Sequence, residues 1–68
     1  MPVSPASAVA ELSATAEAVN GYRRRIGQLA AGFDRGESED VVSAIYEAER
    51  SLEIAERTVR RALRLAAG

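Results

Sequence analysis

Two runs of apolar residues, each repeating every seven positions, constrain the fold of this chain more than any other feature. The first run is Leu12, Val19, Ile26 and Phe33, and the second is Ile45, Leu52, Val59 and Ala66. A spacing of seven returns a side chain to nearly the same face of an α-helix, with a drift of only about 20° per repeat. Each run therefore predicts one helix that carries one apolar stripe.

The segment between the two runs predicts a turn. Two glycines, an aspartate and a serine lie within residues 32–38, and these residue types favour turns over helix. Phe33 and Ile45 are 12 residues apart, so one unbroken helix would rotate the second stripe about 140° away from the first. A hairpin avoids this mismatch, because the second helix can turn its stripe back onto the first.

We therefore expect an all-α fold, an antiparallel two-helix hairpin in which residues 1–68 form a single domain. The predicted elements are helix 1 over about 5–33, a turn over about 34–38 and helix 2 over about 39–66. Ser4 is the predicted N-cap of helix 1, with Pro5 at its first position, and Ser38 is the predicted N-cap of helix 2.

Two helices alone make a thin core, and several apolar residues lie off the main stripes. A chain of 68 residues without Cys or His has no disulfide and no zinc site to stabilise it. We expect the additional apolar surface to be covered, either in a homodimer that completes a four-helix bundle or by another helical protein. The residues predicted for this interface are Tyr22, Leu29, Val42, Ile54 and Leu63.

The most notable polar pattern is an arginine stripe near the C-terminal end of helix 2. Arg57, Arg60, Arg61 and Arg64 are spaced to share one side of a helix. Such a stripe could bind an anionic ligand, so an accessory protein for nucleic acid is the alternative function. The structural interpretation is a helix end paired with Glu11 and Glu17. It is favoured because the net charge is −1 and no aromatic residue is interleaved for base stacking.

Other charged clusters have simpler explanations. Residues 23–25 are three consecutive arginines, which point about 100° apart on a helix and so predict separate ion pairs. Glu49, Glu53 and Glu56 predict an acidic flank of helix 2, and no metal site is expected without His. Gly21 and Gly27 mark either a weak point of helix 1 or a place of close backbone approach, and the sequence leaves both open.

We expect no catalytic residues, no cofactor and no small-molecule substrate, because there is no His or Cys, no phosphate-binding glycine loop and no strand pattern. No signal peptide or membrane span is expected, so the cytoplasm is the predicted location. The predicted function is that of a non-catalytic interaction or accessory protein, acting by self-association or by docking on a partner. The sequence identifies neither the partner nor the pathway.

Overall fold

A computed structural model describes residues 4–33 and 39–68, which form two long α-helices. Helix α1 spans Pro5–Ala31 and helix α2 spans Glu39–Ala67. The two helices pack against each other, so the prediction of an all-α hairpin is confirmed. The molecule is long and thin, with extents of 50 × 20 × 14 Å.

Helix α1 begins where the sequence predicts. The Oγ of Ser4 accepts a hydrogen bond of 3.2 Å from the amide of Ser7, and Pro5 occupies the first turn. This cap satisfies one of the amides that a helix start leaves without a partner.

Helix α1 ends at Ala31, two residues before the expected end. The amides of Gly32 and Phe33 donate to the carbonyls of Leu29 and Ala30, at 3.1 and 3.3 Å. These bonds span three residues instead of four, which tightens and closes the last turn. The predicted turn over 34–38 and the predicted cap at Ser38 lie outside the described residues.

Both ends of helix α2 suit the helix dipole. Glu39 and Asp40 lie in its first turn, and Arg64 lies in its last turn. Negative side chains at the start of a helix and positive ones at its end are each stabilising by about 0.3–1 kcal/mol. The helix continues to Ala67, one residue beyond the expected end.

The interior between the helices is thin. Among the described residues, only Ala16 and Ala30 are buried, and no large side chain is completely enclosed. The members of the two apolar stripes inside the helices are half-buried, namely Leu12, Val19, Ile26, Ile45, Leu52, Val59 and Ala66. Phe33, beyond the end of α1, is 39% exposed.

The exposed surface is large for a chain of this size. It amounts to 5328 Å², whereas a compact monomer of 7.2 kDa exposes about 4,100 Å² by the usual scaling of area with mass. The hairpin therefore leaves about 1,200 Å² more surface in water than a globular fold of equal mass.

Candidate interaction surfaces

The half-buried positions of α2 repeat with alternating spacings of three and four residues. They include Val42, Ile45, Glu49, Leu52, Glu56, Val59, Leu63 and Ala66. The equivalent series in α1 is Val9, Leu12, Ala16, Val19, Arg23, Ile26 and Ala30. This spacing keeps every member on the side of its helix that meets the other helix. Three charged residues, Arg23, Glu49 and Glu56, therefore occupy positions in the contact between the helices.

Two of these charged residues belong to an ion-pair cluster that links the helices. The Nε of Arg23 lies 3.5 Å from Oε1 of Glu56, and the Nε of Arg60 donates a bond of 3.0 Å to Oε2 of the same carboxylate. Nη2 of Arg60 also lies 3.9 Å from Oε1 of Glu17. The Glu56 side chain is only 15% exposed. We call Glu17, Arg23, Glu56 and Arg60 the ion-pair face.

Arg23 is held by a second polar contact within α1. Its Nη2 donates a hydrogen bond of 3.1 Å to Oδ1 of Asn20. Its Nε is buried and makes no hydrogen bond within the described structure, so it interacts with Glu56 through charge alone. The guanidinium is thus fixed in position by one hydrogen bond and one ion pair.

The structure gives different surroundings to the two glycines of α1. A Cβ built on Gly27 would lie 2.7 Å from Oε2 of Glu49, whereas one built on Gly21 meets nothing within 4 Å. The neighbour of Gly27 is the tip of a side chain and not the backbone of α2, and the missing Cβ leaves room for this carboxylate. Gly21 has no such neighbour and lowers the helix propensity without a packing benefit.

At about 100° per residue, Glu17 and Arg60 lie on one flank of the helix contact, and Leu29 and Ala48 lie on the other. This second long side of the hairpin carries a shallow apolar groove. Its volume is about 460 Å³, and its lining is apolar apart from Asp40. The lining comprises Ile26 and Leu29 from α1 together with Asp40, Val41, Ala44, Ile45 and Ala48 from α2. Tyr22 precedes Leu29 by seven residues and so lies on the same side of α1. We call Tyr22, Leu29, Val41, Ala44 and Ala48 the apolar face.

Large and small side chains are separated on the apolar face. Tyr22 and Leu29 project from α1 and are 55% and 56% exposed. The edge contributed by α2 continues beyond Ala48 at intervals of seven with Ala55 and Ala62, both half-buried. The face therefore has a ridge of large side chains on α1, whereas the α2 edge has Val41, 45% exposed, near its start and a row of alanines beyond it.

The five residues predicted for a partner interface do not share one surface. Tyr22 and Leu29 lie on the apolar face. Val42 and Leu63 are half-buried in the contact between the helices. Ile54 is 50% exposed, and its position nine residues after Ile45 places it about 180° from the helix contact. Leu65, which is 72% exposed, lies on that outer side as well.

The arginine stripe is divided between two roles. Arg57, Arg61 and Arg64 are exposed. Arg60 instead forms ion pairs with Glu56 and Glu17, which confirms the expected pairing of Glu17 with this end of α2. The stripe therefore offers three exposed guanidinium groups for an external anion.

Sequence reasoning missed the role of the charged residues inside the helix contact. Glu49 and Glu56 were expected on an acidic flank with Glu53, and Arg23 was expected to act as one of three separate arginines. The spacing of three and four residues from Val42 reaches both Glu49 and Glu56, and it would have placed them in the contact. An apolar pattern alone does not reveal such positions, because it skips any charged member of the series.

Over the residues described, no group of three potential ligands converges as a metal site requires. Neither α1 nor α2 contains a stretch long and apolar enough to cross a membrane. No family model matches the chain, and no characterised protein or solved structure matches it significantly.

Proposed function

We propose that this chain is a non-catalytic interaction module, which acts by covering its apolar face with another protein surface. The observation that carries the proposal is the contrast between a nearly absent core and a ridge of exposed large side chains. Only two alanines are buried among the described residues, while Tyr22 and Leu29 are each more than half exposed.

The energetics of short helices support this proposal. Helices in proteins are stabilised mainly by the packing of an apolar face and much less by intrinsic propensity. Full burial of a Leu side chain contributes about 1.5–3 kcal/mol, and no large side chain of the described hairpin reaches full burial. A surface that covers Tyr22 and Leu29 would supply the burial that the hairpin lacks.

The alternative function, association with nucleic acid through the arginine stripe, has less support. Arg60 is engaged by two carboxylates, and the chain carries a net charge of −1. Phosphate binding is driven by cations that displace counterions, so its affinity falls steeply with salt. This alternative would be favoured if the chain bound DNA or RNA at low salt and if changing Arg57 and Arg61 to Ala weakened that binding.

Thermal unfolding at several protein concentrations tests the proposed function. Circular dichroism should show one of two results for the isolated chain: an unfolding midpoint that rises with concentration, or little helix at any concentration. Both follow if the hairpin needs another surface, because binding stabilises the folded state by mass action. A helical monomer with a cooperative, concentration-independent midpoint would contradict the proposal.

A further inference from the structure

We propose that the apolar face binds a second copy of this chain, about a two-fold axis parallel to the helices. In this dimer, α1 of each copy lies on α2 of the other, and the Gly32 ends of both hairpins lie together. The inference rests on the proposed function and identifies its partner. Three features of the molecule support this arrangement, namely the register of the hairpin, the distribution of side-chain sizes and the exposed area.

The register within one hairpin follows from the contacts between its helices. Glu17 lies beside Arg60, Arg23 beside Glu56, and Gly27 beside Glu49. Residue numbers rise along α1 as they fall along α2, so the helices are antiparallel. Interpolating between these contacts places Tyr22 level with the turn that contains Ala55. Continuing the register two residues beyond Gly27 places Leu29 level with the turn that contains Ala48.

A two-fold axis parallel to the helices keeps every residue at its own level and exchanges the two helices across the interface. Each α1 ridge would then lie over the alanine row of the other copy. Tyr22 would meet the partner's Ala55, and Leu29 would meet the partner's Ala48. Large side chains facing small ones interdigitate, and a two-fold interface forms this match twice.

The other possible two-fold arrangement matches the surfaces poorly. An axis perpendicular to the helices places α1 on α1 and α2 on α2, with the two hairpins pointing in opposite directions. Tyr22 and Leu29 would then face the ridge of the other copy, while the alanines at 48 and 55 would face another alanine row. Ridge against ridge holds the helices apart, and the alanine rows would leave gaps, which lower stability.

The total exposed area of the chain leaves room for such a dimer. Each chain exposes about 1,200 Å² beyond the area expected for a compact monomer of its mass. A standard protein interface takes about 800 Å² from each partner. The ion-pair face lies on the opposite side of the hairpin, so the dimer would not bury its charged groups any further.

Distances between spin labels on the two copies test this arrangement. The chain has no Cys, so a single Ala67→Cys variant places one label at the end of each α2. The proposed dimer brings these labels within about 30 Å, because α2 axes on the diagonal of a four-helix bundle are close. The opposite orientation separates them by about 40 Å or more along the bundle, given a rise of 1.5 Å per residue.

A Glu53→Cys variant is the matched control, because Glu53 lies at the middle of α2 and both orientations bring its labels close. Short distances at both positions support the proposal. A short distance at 53 with a long one at 67 would overturn the arrangement. No dipolar coupling at either position would overturn self-association itself. In that case the proposed function is judged separately by the unfolding experiment, in which a poorly helical chain would still support it.

Discussion

The two long sides of this hairpin differ in how far their side chains are covered by the hairpin itself. On the ion-pair face, charged side chains from both helices meet, and the Glu56 carboxylate is shared by Arg23 and Arg60. On the apolar face, Tyr22 and Leu29 extend into water beside a row of alanines. The first side is closed by residues of the hairpin itself, whereas the second is left open.

This difference shows how one short chain can separate internal register from external binding. An ion pair between two helices favours one alignment, since shifting either helix by a turn would separate the charges. Apolar groups have no such directionality, but their contribution grows with the area that leaves water. The ion-pair face is therefore suited to fixing the hairpin, and the apolar face is suited to binding a partner.

The largest effect is expected from a charge placed between the helices. Leu52→Asp puts a carboxylate at a half-buried position of the apolar stripe, in the same series of the helix contact as Glu49 and Glu56. Moving a charge out of water close to like charges is costly enough to unfold a domain of this size. Circular dichroism should show loss of most of the helix signal. Ile54→Asp, two residues away on the outer side, should keep its helix content, and equal unfolding of both variants would contradict this account of the helix contact.

A smaller loss is expected when the ion-pair face is neutralised. Glu56→Gln removes the carboxylate that Arg23 and Arg60 share, and we expect the free energy of unfolding to fall by about 1–2 kcal/mol, because partly buried pairs exceed the value of exposed ones. Glu53→Gln is the control at an exposed position, and should change the free energy by less than about 0.5 kcal/mol. Urea unfolding measures both. Similar values for the two variants would show that the cluster does not stabilise the hairpin.

The smallest effects distinguish the two glycines of α1. Gly21→Ala should stabilise the chain by about 0.5–1 kcal/mol, because Ala favours helix and its Cβ meets no neighbour. Gly27→Ala should gain less, since the Glu49 carboxylate would have to move from its place beside the new Cβ. Unfolding midpoints of the two variants, measured at one concentration, give the comparison. A larger gain at Gly27 would contradict the contact between this position and the Glu49 carboxylate.

Much of the fold could be predicted from the sequence, because its signals are local. The two runs with a period of seven predicted both helices, and Ser4 and Pro5 predicted the start of α1. The end of α1 was placed two residues late, since Phe33 fits the apolar period although the chain leaves the helix after Ala31. Periodicity reports which side of a helix is apolar, but the end of a helix depends on hydrogen bonds that the period does not show.

The surfaces were harder to predict, because they depend on how the two helices face each other. Val42 and Leu63 were grouped with Tyr22 and Leu29 as outer apolar residues, yet the first two lie in the helix contact. The pairing of Arg23 with Glu56 joins residues far apart in the sequence. To predict such a pairing, one must know which turn of α1 lies beside which turn of α2. The apolar pattern alone fixes this register only to within about a turn.

The most direct test of the central claim compares two equivalent substitutions on opposite sides of the molecule. Leu29→Glu changes the apolar face, and Leu65→Glu changes the outer side of α2, where the side chain is even more exposed. Light scattering after size-exclusion chromatography gives the molar mass of each variant and of the unchanged chain. We predict twice 7.2 kDa for the unchanged chain and for Leu65→Glu, and a single chain mass for Leu29→Glu. A Leu29→Glu variant that remains a dimer, or a Leu65→Glu variant that dissociates, would contradict the assignment of binding to the apolar face.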